Sequence, residues 1–261
     1  FVDSGMGGIP YLEAARNRMP HESYLYVADT AHFPYGNRSA EQLRDIVTQL
    51  LQRVLSRYKV KLAVIACNTA SVVALTALRE NFDIPFVGVV PAIKPAAQIS
   101  RIGRIGMLAT ERTSSDSYVD ALIQRHAGSV GVVRKPAAGM VTFVEHKMAL
   151  APGCSIAALP PDMMDAVRAL IEQDIDVCVL GCTHFVYLTE AIQAAFGGSV
   201  QVIDSRLGVS QRIESLLATD RHARGTQQPA RGMLHVTADN ELTGRYRYLA
   251  ETRNLEFRGL L

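Results

Sequence analysis

Leu62-Ala63-Val64-Ile65-Ala66-Cys67-Asn68-Thr69 and Val177-Cys178-Val179-Leu180-Gly181-Cys182-Thr183-His184 follow one template. Four residues suited to a buried strand are followed by a small residue, a cysteine and two polar residues, ahead of a helical segment. The same strand-to-helix turn, built twice and 115 positions apart, implies two similar α/β units. Each presents a cysteine at the carboxyl end of a parallel strand, where open α/β sheets bind ligands.

The flanking sequence agrees with that frame. Short β-branched runs at 23–28, 60–65, 85–89, 103–108, 129–133, 176–180, 200–203 and 233–237 read as strands. Segments with apolar residues at three- and four-residue spacing, Ala40–Tyr58, Ser71–Asn81, Asp162–Gln173, His184–Phe196 and Leu207–Ala218, read as helices packed on the sheets. The stretch 91–101 reads as a crossover, and the polar, Gly- and Pro-containing 219–232 as an exposed loop. The chain opens at Phe1-Val2-Asp3 inside a strand and without an initiator methionine, so a few residues are expected ahead of it.

Composition narrows the function. With 261 residues, 48% hydrophobic and 20% charged, the chain is an ordinary globular sequence long enough for two domains. No apolar stretch approaches the ~20 residues that span a bilayer, and no signal-like segment is present, so a soluble, cytoplasmic protein without membrane association is expected. The 27 Lys and Arg against 25 Asp and Glu give a formal charge of +2, too weak a field to hold a nucleic acid backbone directly. The four cysteines, at 67, 154, 178 and 182, read as free thiols in a chain too large to need disulfide staples.

A thiol at a strand-to-helix turn lies beside unpaired backbone N–H groups and the positive end of a helix dipole, and both favour its thiolate. Cys67 and Cys182 are therefore candidates to move a proton or attack carbon, with Asn68, Thr69, Thr183 and His184 supplying polar groups around a small ligand. Burial as a small hydrophobe is the plain alternative for an isolated cysteine, and it is the reading for Cys178, inside its strand. A metal site of Cys178, Cys182 and His184 would lack the usual paired-ligand spacing and the turn it needs, so no metal is expected. Asp3-Ser4-Gly5-Met6-Gly7-Gly8 forms a third strand-to-helix turn. It has neither the Lys-Ser/Thr of a nucleotide loop nor dinucleotide spacing, leaving Asp3 to orient an ammonium, to assist proton transfer or to cap the next helix. In Asp29–Ser39, the Pro34-Tyr35-Gly36 turn offers backbone N–H groups and a phenol suited to a carboxylate, or is a plain surface turn.

Taken together, Asp3–Gly8, Ala28–Gly36, Ala66–Ser71, Gly88–Ala96, Ile105–Thr110 and Leu180–Phe185 resemble the glutamate racemase family, in the family's order and over most of the chain. The resemblance implies an α/β fold of two pseudo-symmetric flavodoxin-like domains with parallel sheets and the active site in the interdomain cleft. The first domain would take 1–93 plus 207–261, the second 94–206. It further implies racemisation of L- and D-glutamate without a cofactor, supplying D-glutamate for peptidoglycan. One cysteine thiolate takes the α-proton from one face and the other thiol returns a proton to the opposite face. Asp3 would assist Cys67; His184, with Glu145, would assist Cys182. The implied substrate contacts are Asp3, Ser4, Pro34, Tyr35, Gly36, Asn68, Thr69, Thr183 and His184. A homodimer is compatible with the family. The alternatives are a related cofactor-independent racemase acting on aspartate or another acid, and a binding protein, such as a DNA gyrase partner, with secondary catalysis. A thiol–disulfide enzyme would need a C-x-x-C, which is absent. The chain departs from the family's usual residues at 137–144, Arg38, Val186 and Arg206, positions that bear on substrate preference and efficiency more than on reaction type.

Overall fold

The structure is a computed structural model and describes residues 1–148, 156, 158–219 and 232–261. Cys154 and most of the 219–232 loop lie outside the described residues. Two compact units emerge, one formed by Phe1–Val89 with Arg206–Leu261, the other by the described residues of 90–148 and 156–205.

In the first unit the strands are β1 (Val2–Asp3), β2 (Leu25–Ala28), β3 (Ala63–Ile65), β4 (Phe86–Gly88), β9 (Gly232–Val236) and β10 (Leu255–Leu260), and the helices are α1 (Ile9–Arg18), α2 (Ala40–Arg57), α3 (Asn68–Asn81), α10 (Arg206–Thr219) and α11 (Thr243–Thr252). The sheet is parallel throughout, in the order β10-β9-β2-β1-β3-β4. In the second, the strands are β5 (Arg104–Ala109), β6 (Gly131–Pro136), β7 (Val177–Gly181) and β8 (Gln201–Ile203), with helices α4 (Ile93–Ile99), α5 (Glu111–Ser115), α6 (Ser117–His126), α7 (Ala138–His146), α8 (Met164–Ile171) and α9 (Thr189–Ala195). Its sheet, also parallel, runs β6-β5-β7-β8. Written from each unit's first strand, both contain the order second-first-third-fourth, the flavodoxin-like winding. Its switch point, where connections change sides, lies between the first and third strands. The two halves are thus alike in topology.

Local physics explains the elements. Helix α2 starts at a capping box: Gln42 N–H donates to Ser39 Oγ (3.1 Å) and Ser39 N–H to Gln42 Oε1 (3.1 Å). Its buried Leu43, Val47, Leu50, Leu51 and Val54 recur at three and four residues and pack into the core with Ile65, Leu78 and Phe86. In the second unit Ile105, Met107, Val179 and Leu180 of the central strands are fully buried, as are Val167 and Leu170 of α8. Removing such side chains from water is the main favourable term in folding.

Several elements differ from the sequence reading. The 91–101 crossover contains α4, in which Pro95 is tolerated because the first turn needs no N–H donor. The segment expected as one helix over 184–196 is a 3-10 turn, Thr183–Leu188, followed by α9. Helix α3 begins at Asn68, three residues before the expected Ser71. Helix α1 follows the strand-to-helix turn expected at Asp3–Gly8, whereas helices α4, α5, α6, α7 and α11 and strand β10 lie beyond the elements that the sequence pattern predicts. Among the described residues, no helix is long and apolar enough to cross a membrane.

Candidate active site

In the first unit the register brings four loops to one edge. Val2 pairs with Ile65 and Asp3 with Ala28, while Ala28 pairs with Val236, so Asp3, Asp29, Cys67 and Thr237 follow neighbouring strands at their carboxyl ends. Cys67 is the N-cap of α3 with extended backbone (φ −137°, ψ 124°), which puts it at the positive end of a 14-residue helix. It is buried, as are Asp3, Ser4, Asn68, Thr69 and Tyr35. Asp3 does not cap the next helix. The N-cap of α1 is Gly8, and Asp3 Oδ1 accepts from Ser4 N–H (2.6 Å) and, more weakly, from Ser4 Oγ–H (3.4 Å). Asn68 keeps both side-chain polar atoms, Nδ2 and Oδ1, buried without a hydrogen-bond partner. A buried amide in that condition is costly. The zwitterion of an α-amino acid would satisfy it, the carboxylate accepting from Nδ2 and the ammonium donating to Oδ1.

The Pro34-Tyr35-Gly36 turn is held differently from the sequence reading. The Tyr35 hydroxyl donates to Asp29 Oδ2 at 2.7 Å, so its proton is committed to a carboxylate of the protein rather than offered to that of a ligand. Burial first, then the negative groups Asp29, Cys67 and Asp3, hold the Tyr35 phenol well above its ordinary pKa, and it stays neutral. Tyr35 and Gly36 instead open a one-turn 3-10 helix, whose leading N–H groups have no intrahelical acceptor and suit an anion. Asp29, fully buried, is the hub: it also accepts from Thr237 Oγ1–H (2.5 Å) and contacts His32 Nδ1 (2.9 Å). Asp29→Asn is expected to cost about 1–3 kcal/mol in urea unfolding, by weakening acceptors that these buried donors require. It should also raise KM more than it lowers kcat, because the loop it fixes is a binding loop. An unchanged midpoint and KM would remove that role.

In the second unit, Ala109 pairs with Gly181 and Pro136, so Thr110, Cys182 and Ala137 share the carboxyl edge and Cys182 sits beside the switch point between β5 and β7. A Cβ on Gly181 would stand 3.1 Å from both Ala109 Cβ and Leu108 O, so glycine lets β7 close on β5 just before the cysteine. Cys182, buried and in extended backbone, precedes only the 3-10 turn, a weaker dipole than α3. Here a side chain replaces the dipole. Glu145 Oε2 lies 2.9 Å from His184 Nε2, and His184 also hydrogen-bonds Cys182. His184 and Glu145 are 2% and 1% exposed. Burial would lower the His184 pKa, but the hydrogen bonds and charges of Cys182 and Glu145 together raise it well above the ordinary imidazole value. The result is a buried cysteine–imidazolium–carboxylate chain.

Cys67, Cys178 and Cys182 are free thiols. Burial pushes the Cys178 thiol up to about 12, against an opposing backbone hydrogen bond from Leu108, so it stays protonated in the core. Among the described residues no group of three or more His, Cys, Asp or Glu could hold a metal ion. The structure therefore gathers Asp3, Ser4, Tyr35, Cys67, Asn68 and Thr69 at one sheet edge, and Cys182, Thr183, His184 and Glu145 at the other. Asp29, Thr237 and Tyr26 are supporting residues that the sequence reading missed. Only Asp29 gave a sign, as a carboxylate directly after a buried strand.

A protein-family model described as Asp/Glu/Hydantoin racemase matches residues 11–207. A glutamate racemase of Sphingopyxis alaskensis is 44% identical over 220 residues, covering 83% of this chain and 80% of the relative. One of Deinococcus radiodurans is 36% identical over 239 residues, covering 91% and 80%. The solved structure of Escherichia coli glutamate racemase in complex with L-glutamate and the activator UDP-MurNAc-Ala matches 100% of this chain and 96% of that one, with a TM-score of 0.89 at 32% identity.

Proposed function

The chain belongs to the Asp/Glu/Hydantoin racemase family, and on that premise we propose how its residues interconvert L- and D-glutamate. Cys67 and Cys182 are the two bases, one for each face of the α-carbon. The observation that supports this is the repeated cysteine itself: buried, free and at the carboxyl edge of the third strand in both windings. Inverting a carbon by proton transfer requires a base on one face and an acid on the other, which a symmetric pair of thiols supplies.

The thiolate of one cysteine takes the α-proton and becomes a thiol. The other, starting as thiol, gives its proton to the opposite face and becomes a thiolate, so the pair ends ready for the reverse reaction. Such general acid–base catalysis contributes about 10²- to 10⁴-fold, and positioning and electrostatic stabilisation of the carbanion supply the remainder. Asp3 assists Cys67. His184, held cationic by Glu145, stabilises the Cys182 thiolate after it has given up its proton. Ser4, Pro34, Tyr35, Gly36, Asn68, Thr69 and Thr183 bind the substrate, with the leading N–H groups of the Tyr35 turn on a carboxylate. The chemistry is complete with these side chains and calls on no cofactor. The free thiols suit the reducing cytoplasm, where D-glutamate would enter peptidoglycan synthesis.

Circular dichroism of the purified protein with L-glutamate and then D-glutamate in ²H₂O, followed by mass spectrometry, tests this. Both signals should decay to zero with one deuterium incorporated at the α-position. Absence of optical change and of exchange from either enantiomer, or a preference for another acid, would overturn it.

A further inference from the structure

We infer that Tyr26 is a positioning residue for the proton transfer at Cys67, an inference resting on the reading above that Asp3 assists that thiol. Tyr26 is a fully buried residue of β2 and lies outside the substrate contacts. Its hydroxyl donates to Gly5 O at 2.7 Å and accepts from Gly8 N–H at 3.1 Å. A single phenol therefore spans both ends of the Gly5–Gly8 turn, the segment that follows Asp3 and Ser4.

The other side of that turn is fixed by close approach. A Cβ on Gly8 would stand 2.7 Å from Ala66 Cβ, 3.0 Å from Ala66 O and 3.0 Å from the Tyr26 hydroxyl. Ala66, the residue before Cys67, is itself tied to β1, its N–H donating to Val2 O at 2.7 Å. The turn is thus gripped between the Tyr26 hydroxyl on β2 and Ala66 at the end of β3. That grip sets where Asp3 and Ser4 stand relative to Cys67. Glycine at position 8 is required for the approach, and tyrosine at 26 supplies the only chemistry in β2 that reaches both backbone groups. Loss of the hydroxyl leaves Gly5 O and Gly8 N–H without this partner and frees the turn to shift. Displacements near 1 Å at a reacting group cost about 100-fold in rate.

Because the two enantiomers have equal energy, kcat/KM must fall equally in both directions for any variant and cannot tell the two thiols apart. The primary isotope effect with α-deuterated substrate can, since it reports the thiol that removes the deuteron. The direction served by Cys67 as base is identified from the enantiomer whose solvent exchange Cys67→Ser loses. In Tyr26→Phe, kcat should fall about 10- to 100-fold with KM changed less, and the ratio of the two isotope effects should shift toward the Cys67 direction. Gly8→Ala, which displaces the same turn by a different route, should shift it the same way, so the inference stands testable even if Tyr26→Phe does not fold. Tyr24→Phe is the control. Tyr24, just ahead of the same strand, donates to Ala15 O and Met19 O far from the turn, and its loss should affect stability with the ratio unchanged. Wild-type racemisation combined with an unshifted ratio in Tyr26→Phe or Gly8→Ala, or the same shift in Tyr24→Phe, overturns the positioning role alone. A wild-type protein inactive on both enantiomers overturns the underlying reading instead.

Discussion

Cys67→Ser and Cys182→Ser are each expected to lose racemisation by at least about 100-fold while keeping half of the chemistry. A thiol is a far stronger acid than a serine hydroxyl, which is too weak an acid to supply its conjugate base near neutral pH. Each variant still holds one competent thiol. That thiol can remove the α-proton of the enantiomer presented to it and return a solvent proton to the same face, so one enantiomer should exchange its α-hydrogen without inversion. The two variants should be complementary, one exchanging L-glutamate and the other D-glutamate, read by mass spectrometry after incubation in ²H₂O. Full racemisation by either single variant would refute the two-thiol assignment. Neither substitution should alter folding much, since serine is close in size and, although Cys67 packs at the margin of the first unit's core, both positions also border the polar carboxyl edge of their sheet.

The cysteine turns were readable because everything that makes them is local: a buried strand, a small residue, the thiol and a helix start. Parallel sheets followed from the alternation of strands and helices, while the flavodoxin-like winding was implied only by the family resemblance, and the observed strand orders agree with both. What escaped was non-local or weakly patterned. Thr237 reaches Asp29 across 208 positions, and no pattern around either residue announces the other. Glu145 could be attached to His184 only through family resemblance, because its own helix carries apolar residues on most positions and no distinctive spacing. Strand β10 does alternate, Leu255 and Phe257 against Glu256 and Arg258, but it lies at the sheet edge, where half-exposed residues dilute the signal. The Tyr35 phenol was misread for another reason: composition shows that a hydroxyl is present, and only geometry shows that its proton is already given to Asp29.

His184→Asn should have the second large effect, on stability as well as rate. The imidazolium is the charge partner of a carboxylate that is 1% exposed, and breaking such a buried pair from one side costs about 3–5 kcal/mol. The sign of its pH dependence follows from the raised pKa of His184. The folded state holds the proton more tightly than the unfolded chain, where imidazole titrates near 6.5. This contribution is therefore complete below about pH 6.5 and is lost as pH rises through the folded-state value. The gap in unfolding free energy between wild type and His184→Asn should accordingly narrow as pH rises above about 6.5, and a gap that widens on raising the pH would contradict the assignment. Glu145→Gln separates charge from shape. It keeps the size of the side chain but removes one of the interactions that raise the His184 pKa, so the imidazole loses its proton at lower pH. The alkaline limb of the racemisation profile should move to lower pH in Glu145→Gln. If Glu145 only filled space, the profile would keep its shape and the rate alone would change.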